Sequence, residues 1–411
     1  MNEMKRTIVF CFVASVLAVA AMVVDPGRMN PEIFSDQGET FYPEFTDPQA
    51  PKVIEIVDYD EETATARPLK VEFSDGKWRI PSHYNYPADA ADRLAQTAAA
   101  LIELRKDVIV SDRAQEHATF GVIDPLDQNV TSLSGRGQRV TLKDENDQTL
   151  ADFIVGNFME NKSSMRYMRL PGQTRVYKVE SSLGVPAKFE DWIETDLLKL
   201  YAGDIRKITV NSYSINERRG SIDNQEKLIL RKTAGKWKLA GAGSPNAEKM
   251  NALTSALDSL KIADVQPKPA NLSADLKTRK GVQLSMESVT SLRRKGFFVT
   301  RMGQLLSNEG EILVETANGL EYTLRFGEIA PASGGQSGAG QDGGENERRY
   351  VFITVSYSEA RAKRYAEGKE PDGEGKKLAE ELRFRFADWY YVISGADFKN
   401  LRPSRRDLLK G

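Results

Sequence analysis

Leu69-Lys70-Val71-Glu72-Phe73 leads into Gly76-Lys77-Trp78-Arg79, and far downstream Lys227-Leu228-Ile229-Leu230 leads into Gly235-Lys236-Trp237-Lys238. In both places a strand-like segment is followed by a glycine turn that opens a second strand, so each reads as a β-hairpin. Upstream, Lys52-Val53-Ile54-Glu55-Ile56-Val57 resembles Arg206-Lys207-Ile208-Thr209-Val210, each a short alternating strand. Downstream, a helical pattern follows both hairpins. Ala91, Leu94, Ala95, Ala98, Leu101 and Ile102 form one apolar face behind a capping Asp89. Met250, Leu253, Leu257 and Leu260 repeat that face after Pro245-Asn246.

The correspondence continues in order. Arg139-Val140-Thr141-Leu142 through Gly156 matches Glu311-Ile312-Leu313-Val314 through Gly327, and Arg166-Tyr167-Met168 matches Arg349-Tyr350-Val351. Phe189-Glu190-Asp191-Trp192 matches Phe386-Ala387-Asp388-Trp389. The spacing between partners grows along the chain, as loop insertions in the second copy would cause, and Gly-rich residues 331–347 are one such insertion. The expected fold is therefore α+β, built as two tandem diverged repeats of an antiparallel sheet plus helix at residues 50–202 and 203–411.

Ahead of the repeats, Lys5-Arg6 precedes the unbroken apolar run TIVFCFVASVLAVAAMVV from Thr7 to Val24. At 1.5 Å per residue this helix reaches about 27 Å, close to the roughly 30 Å of a hydrocarbon core. Residues 1–24 are thus expected to be an N-terminal transmembrane anchor contacting the membrane through residues 7–24. The positive-inside bias sends the rest to the outer side of a cell inner membrane, a single-pass periplasmic arrangement. A cleaved signal peptide is the rival reading, since Ala18-Val19-Ala20 has the small-x-small form of a cleavage site. Cys11 follows Ile8-Val9-Phe10, which lacks the small residues that lipid attachment requires. Residues 25–49, with prolines at 26, 31, 43 and 48, read as an extended stalk. Phe34, Phe41, Tyr42 and Phe45 are placed to dock it on the first domain.

A formal net charge of −2 supplies no basic field, so nucleic acid is not an expected partner. The single cysteine lies in the apolar run, which leaves the body without a thiol for a disulfide or metal. The two histidines, His83 and His117, stand on expected surface loops. Gly338-Ala339-Gly340-Gln341-Asp342-Gly343 has the form of a dinucleotide fingerprint but no strand or helix pattern around it. Asp191 and Asp388 read as structural, and no catalytic, metal or cofactor residue is expected. The candidate interaction or structural anchors are Trp78, Tyr84, Trp192, Trp237 and Trp389, with Trp78 and Trp237 expected in the core of each unit.

The order strand, Gly-Lys-Trp, Tyr86-Pro87-Ala88-Asp89, helix, Phe120-Gly121-Val122-Ile123-Asp124-Pro125, Asp191-Trp192, with an N-terminal anchor, resembles the domain of unknown function 4340 family. The second copy lacks a recognisable equivalent of the Tyr-Pro-Ala-Asp and Gly-Val-Ile-Asp-Pro segments. The resemblance implies a bacterial, membrane-anchored protein, often encoded beside gliding-motility-type ABC transporter components. The expected function is a non-enzymatic extracytoplasmic accessory or scaffold protein, with ABC transporter membrane subunits as partners. The alternative is an extracytoplasmic binding module for an envelope polymer or small ligand.

Overall fold

The computed structural model describes residues 36–160, 162–181, 184–216, 218–278, 285–300, 302–331, 347–366 and 373–409. The expected membrane segment, the first part of the stalk including Phe34, and nearly all of loop 331–347 lie outside the described residues. Among the described residues no helix is long and apolar enough to cross a membrane.

Along the chain come β1 (Val53–Asp60), β2 (Thr65–Ser74), β3 (Lys77–Ile80), β4 (Tyr86–Pro87), α1 (Ala91–Ile102), β5 (Val108–Ser111) and α2 (His117–Phe120). Strands β6 (Gln138–Lys143), β7 (Thr149–Met159), β8 (Lys162–Arg169) and β9 (Val176–Glu180) follow. Then come β10 (Ile205–Asn216), β11 (Ser221–Thr233), β12 (Lys236–Leu239), α3 (Ala247–Asp258), β13 (Asp264–Pro267), α4 (Ala270–Thr278) and α5 (Met286–Arg294). A short hairpin, β14 (Phe297–Val299) and β15 (Leu305–Ser307), precedes β16 (Glu311–Thr316), β17 (Leu320–Ile329) and β18 (Arg349–Tyr357). The chain ends with α6 (Glu359–Tyr365), α7 (Glu374–Ala387), β19 (Trp389–Ile393), α8 (Gly395–Leu401) and α9 (Arg405–Leu409). Strand pairings such as β1–β2, β10–β16 and β17–β18 are antiparallel, giving the α+β class.

Two compact units share the chain. Among the described residues, one holds 36–51 together with those of 95–185, and the other holds 52–94 and those from Pro186 onward. In the first unit the strands lie in the order β6-β7-β8-β9-β5. Val140, Leu142, Phe153 and Val179 fill its core. The end of the stalk packs here: Phe41 and Phe45 are buried, and the Phe41 ring meets Tyr177 edge-on at 5.2 Å. The Tyr42 hydroxyl donates to Asp152 O at 2.6 Å, and Tyr177 donates to Asp36 at 2.6 Å.

The second unit contains the meander β4-β3-β2-β1 and an eight-stranded sheet, β12-β11-β10-β16-β17-β18-β19-β13. Both Gly-Lys-Trp hairpins turn on two residues of positive φ, Asp75 (51°) with Gly76 (71°) and Ala234 (48°) with Gly235 (76°). That left-handed pair matches the right-handed twist of the flanking strands, which is why glycine stands second in each. Alternation then decides the faces: Ile54, Ile56, Leu69, Val71 and Ile80 point inward, as do Ile208, Val210, Leu228, Leu230 and Leu239. α3 is capped by Asn246 Oδ1, which accepts from Lys249 N at 3.0 Å, and buries Met250, Leu253 and Leu257. α1 buries Leu94, Ala98 and Leu101, while Ala91 is exposed and Ile102 half-buried.

A shared device holds a helix end against each large sheet. α2 ends at Gly121, which adopts φ 67°, a conformation that costs glycine nothing. Gly156 on β7 lies against that end so closely that a β-carbon would run into Phe120 O and come within 2.6 Å of Val122 Cγ1. Arg166, on β8, donates its Nη2 to Gly156 O at 2.9 Å. In the eight-stranded sheet, Gly296 follows α5 at φ 79°, and a β-carbon on Gly327 of β17 would run into Lys295 O and come within 2.7 Å of Phe297 Cζ. Arg349, on β18, donates its Nη1 to Gly327 O at 2.7 Å. Lys295-Gly296-Phe297 thus does in its sheet what Phe120-Gly121-Val122 does in the other.

The added methyl of Gly156→Ala or Gly327→Ala meets a backbone carbonyl that cannot swing aside. Each substitution is expected to cost about 1–3 kcal/mol. Gly184→Ala, with nothing near its β-carbon position, should stay within about 0.5 kcal/mol of the parent. Equilibrium denaturation of the three variants checks this, and equal midpoints would refute the close approach.

Candidate functional site

The first unit carries an open groove of about 1000 Å³ beside the Phe120–Pro125 segment. Its shape follows from one loop. After α2, Val122 N bonds back to His117 O at 3.0 Å, and Ile123 pairs with the Gly135–Gly137 segment, Gly137 N donating to Ile123 O at 2.8 Å. Asp124 Oδ1 then accepts from Leu126 N at 2.9 Å, turning the chain. The loop from Asp124 to Ser132 closes around the Arg136 guanidinium. Nη1 donates to Asp124 O and Asp127 O, both at 2.9 Å, Nη2 to Val130 O at 2.6 Å, and Nε to Ser132 O at 3.2 Å. A planar fork of fixed donors suits this task, because it binds several carbonyls in one geometry.

Beneath the loop lie two more arginines and a histidine. Arg139 takes Asp152 in a two-pronged pair, Nη2 at 2.7 Å and Nε at 3.0 Å, and also bonds Asp124 at 3.0 Å. The Asp152 bonds outweigh partial burial and hold Arg139 firmly protonated. Buried Arg169 donates Nε to Val122 O and Nη1 to Gln173 O, each at 2.8 Å, and burial lowers its pKa. His117 is not on a surface loop. It starts α2, is buried, and donates Nε2–H to Thr174 O at 2.8 Å. Burial pushes its pKa down, with the Thr174 bond opposing and Arg169 adding to the shift. The floor is therefore a set of charges already satisfied by one another and by backbone oxygens. Asp127, Asn129 and half-exposed Leu126 stand on the rim.

The five aromatic candidates are scattered. Trp78 on β3 pairs across the hairpin with Phe73, ring to ring at 5.3 Å, and is half-buried. Trp237 on β12 pairs with Lys232, whose ammonium stands 6.0 Å from the ring, and is also half-buried. Neither sits in the core: each shares the inward face of Ile80 or Leu239, two residues on, but stands at the turn end of its hairpin, past the buried rows. Tyr84 is exposed, at φ 58°. Trp192 is wholly buried and donates its indole N–H to Pro186 O at 2.9 Å.

Only Trp389 joins a cluster. Its ring lies 5.0 Å from Tyr86, which meets Phe189 at 5.5 Å, and Phe189 stacks on His83 at 4.3 Å. His83 is thus half-buried rather than a free surface residue, and burial lowers its pKa against the pull of Asp264 and Glu190. Asp191 and Asp388 do not occupy equivalent places. Phe189–Trp192 is a 3-10 turn after the last strand of its set, whereas Phe386–Trp389 joins α7 to β19. The Asp388 carboxylate accepts from Ser273 Oγ and pairs with Lys277 at 2.6 Å, fastening α4 to that junction. Among the described residues, no three His, Cys, Asp or Glu side chains are grouped to hold a metal ion.

The same junction buries an amine. Lys268 Nζ donates to Phe386 O at 2.6 Å and Trp389 O at 2.7 Å, and lies 4.1 Å from the Phe352 ring centre. Burial pushes its pKa down to about 7, with Asp388 opposing. An unfolded lysine titrates near 10.4, so between about pH 7 and 10 the unfolded chain holds a proton that the folded chain has lost. Stability should therefore rise with pH across that window, by up to about 1.4 kcal/mol per pH unit from this residue. Below about pH 7 the penalty is complete. In urea titrations, Lys268→Met should flatten that slope whatever its effect on the midpoint; an unchanged slope would contradict the assignment.

No curated protein and no solved structure matches this chain. A family match does run from Trp78 to Lys277, through the groove segment and on as far as α4. Over residues 78–277 the match is to the family described as Domain of unknown function (DUF4340), the one its Phe120–Pro125 and Tyr86–Asp89 segments resemble.

Proposed function

We propose that this is a non-enzymatic, membrane-anchored accessory protein whose body lies outside the cytoplasm, and that the groove of the first unit receives a polypeptide segment of a membrane partner. The groove carries the reading. It is wide and open, its ionic groups are already paired, and Leu126 on its rim is half exposed. Paired charges bring no unspent electrostatic force to a reacting centre, but a trough with a bonded ionic floor and Ile123, Leu126 and Val130 in its lining suits a passing chain. The Lys5-Arg6 pair before the apolar run of residues 7–24 supports the location. The family resemblance supports ABC-type membrane subunits as the partner.

We infer also that the two large sheets descend from one unit. The order β3-β2-β1 corresponds to β12-β11-β10, and β6-β7-β8-β9-β5 corresponds to β16-β17-β18-β19-β13. The paired Gly156–Arg166 and Gly327–Arg349 contacts fall on matching strands. In an experimental structure, superposing β6–β9 on β16–β19 should bring the ends of α2 and α5 together, and divergent positions would argue against duplication.

The alternative, an extracytoplasmic binding module, draws support from a separate apolar cavity in the second unit.

Gentle detergent extraction is expected to co-purify ABC-type membrane subunits with the parent chain. Leu126→Asp should lower their yield about ten-fold, equivalent to about 1.4 kcal/mol, without changing the thermal midpoint. Recovery of the protein alone after crosslinking in cells would overturn the proposal. A reporter fused after Gly411 should be active only outside the cytoplasm; activity confined to the cytosol would remove the location.

A further inference from the structure

In the second unit, α4, α5 and the β14–β15 hairpin stand over one face of β16, β17 and β18, and a cavity of about 440 Å³ remains between them. Its size falls within the roughly 300–1,000 Å³ typical of small-molecule sites. Leu272 and Leu276 from α4, Leu292 from α5, Leu305 from β15 and Phe352 from β18 give it apolar walls. The same packing continues into the core, where Leu272, Leu292 and Phe352 belong to one buried cluster and Leu276 and Leu305 pack on its edge.

Polar side chains enter from the sheet floor, joined by the uncharged Gln304 between β14 and β15. Glu311 on β16 pairs with Arg325 on β17, and Thr354 on β18 stands two residues beyond Phe352, the Arg325 partner on that strand. Arg325 Nε stands 3.1 Å from Glu311 Oε2 and donates to Leu305 O at 2.9 Å, and its Nη1 donates to Thr354 Oγ1 at 3.3 Å. Guanidinium and carboxylate cancel, so the floor is a neutral patch of hydrogen-bonding groups. A ligand carboxylate here would face Glu311, and an ammonium would face Arg325. Either would also lose its hydration to apolar walls, a penalty too large for one imperfect partner. An uncharged acceptor meets neither objection.

We propose that this cavity binds a neutral amphiphile: an apolar chain whose end carries an uncharged hydrogen-bond acceptor, such as the ester or amide carbonyl of an acyl lipid. The chain lies along the leucines and Phe352, and the carbonyl accepts from the Arg325–Thr354 floor. The inference stands whether or not the groove of the first unit receives a protein.

A diazirine-bearing methyl ester of dodecanoic acid tests this on the full chain held in an amphipathic polymer. Irradiation followed by peptide mapping is expected to place the label on α4, α5 and β15, and unlabelled methyl dodecanoate should suppress it. Leu276→Trp and Leu305→Trp fill the cavity from opposite walls, and each should cut labelling by about ten-fold, or 1.4 kcal/mol. Thermal unfolding identifies any variant that has lost its fold, and the competition experiment on the parent stands without them. The free carboxylate probe should label the site less than the ester. Label spread over the surface, label unaffected by competitor, or stronger labelling by the carboxylate would each overturn the proposal.

Discussion

Each large sheet depends on a place where no side chain fits. Gly156 and Gly327 sit on matching strands, and each has a helix-terminating turn pressed against the space its β-carbon would need. An arginine on the next strand, Arg166 or Arg349, then bonds the glycine's own carbonyl. Close approach brings backbone polar groups into a dry region, where an unpaired one is costly. The arginine relieves that cost with a donor that stays charged at any ordinary pH. Glycine and arginine therefore act as one device: the missing side chain admits the helix end, and the arginine satisfies the carbonyl beside it.

What is built beside the device differs between the sheets, and so does what each can bind. In the first unit, α2 has only the four residues His117–Phe120, and the chain leaves it directly into the loop held by Arg136. A broad open groove remains beside that loop. In the second unit, nine-residue α5, together with α4 and the β14–β15 hairpin, occupies the same side of the strands. Those additions bring leucines, which wall a smaller cavity above the Glu311–Arg325–Thr354 floor. On the proposals made above, the first unit offers an open surface to a polypeptide and the second a cavity to a chain of carbons.

The sequence announced elements better than environments. The Gly-Lys-Trp hairpins, the faces of α1 and α3, and the strands around Ile54 and Ile208 were legible because period and turn chemistry are local properties. The depth of Trp78 and Trp237 was not, since alternation puts each on the inward face with Ile80 or Leu239; how far the core reaches toward the hairpin tip is a tertiary property. Asp191-Trp192 and Asp388-Trp389 misled for a related reason. A short string such as Phe-x-Asp-Trp can end a 3-10 turn or open a strand, and only tertiary context separates the two. Burial of His117 depended on Thr174, far along the chain, which no local pattern reports. The groove had a signal in Gly135-Arg136-Gly137-Gln138-Arg139, but the carbonyls that Arg136 gathers belong to a loop without periodicity.

The choice between catalysis and binding turns on where the ionic groups spend their interactions. Arg139 divides itself between Asp152 and Asp124, while Arg136 and Arg169 are occupied by backbone oxygens. To stabilise charge developing in a transition state, a donor must be aimed at a position that only the reacting group fills. Donors committed to the protein would first have to release a carboxylate or carbonyl, and that release would cancel most of the gain. The same commitments favour recognition, because a loop fixed by charge-assisted bonds loses little entropy when a partner lies along it. On the reading we propose, rigid satisfaction of its own charges suits this groove to holding a partner rather than to turning over a substrate.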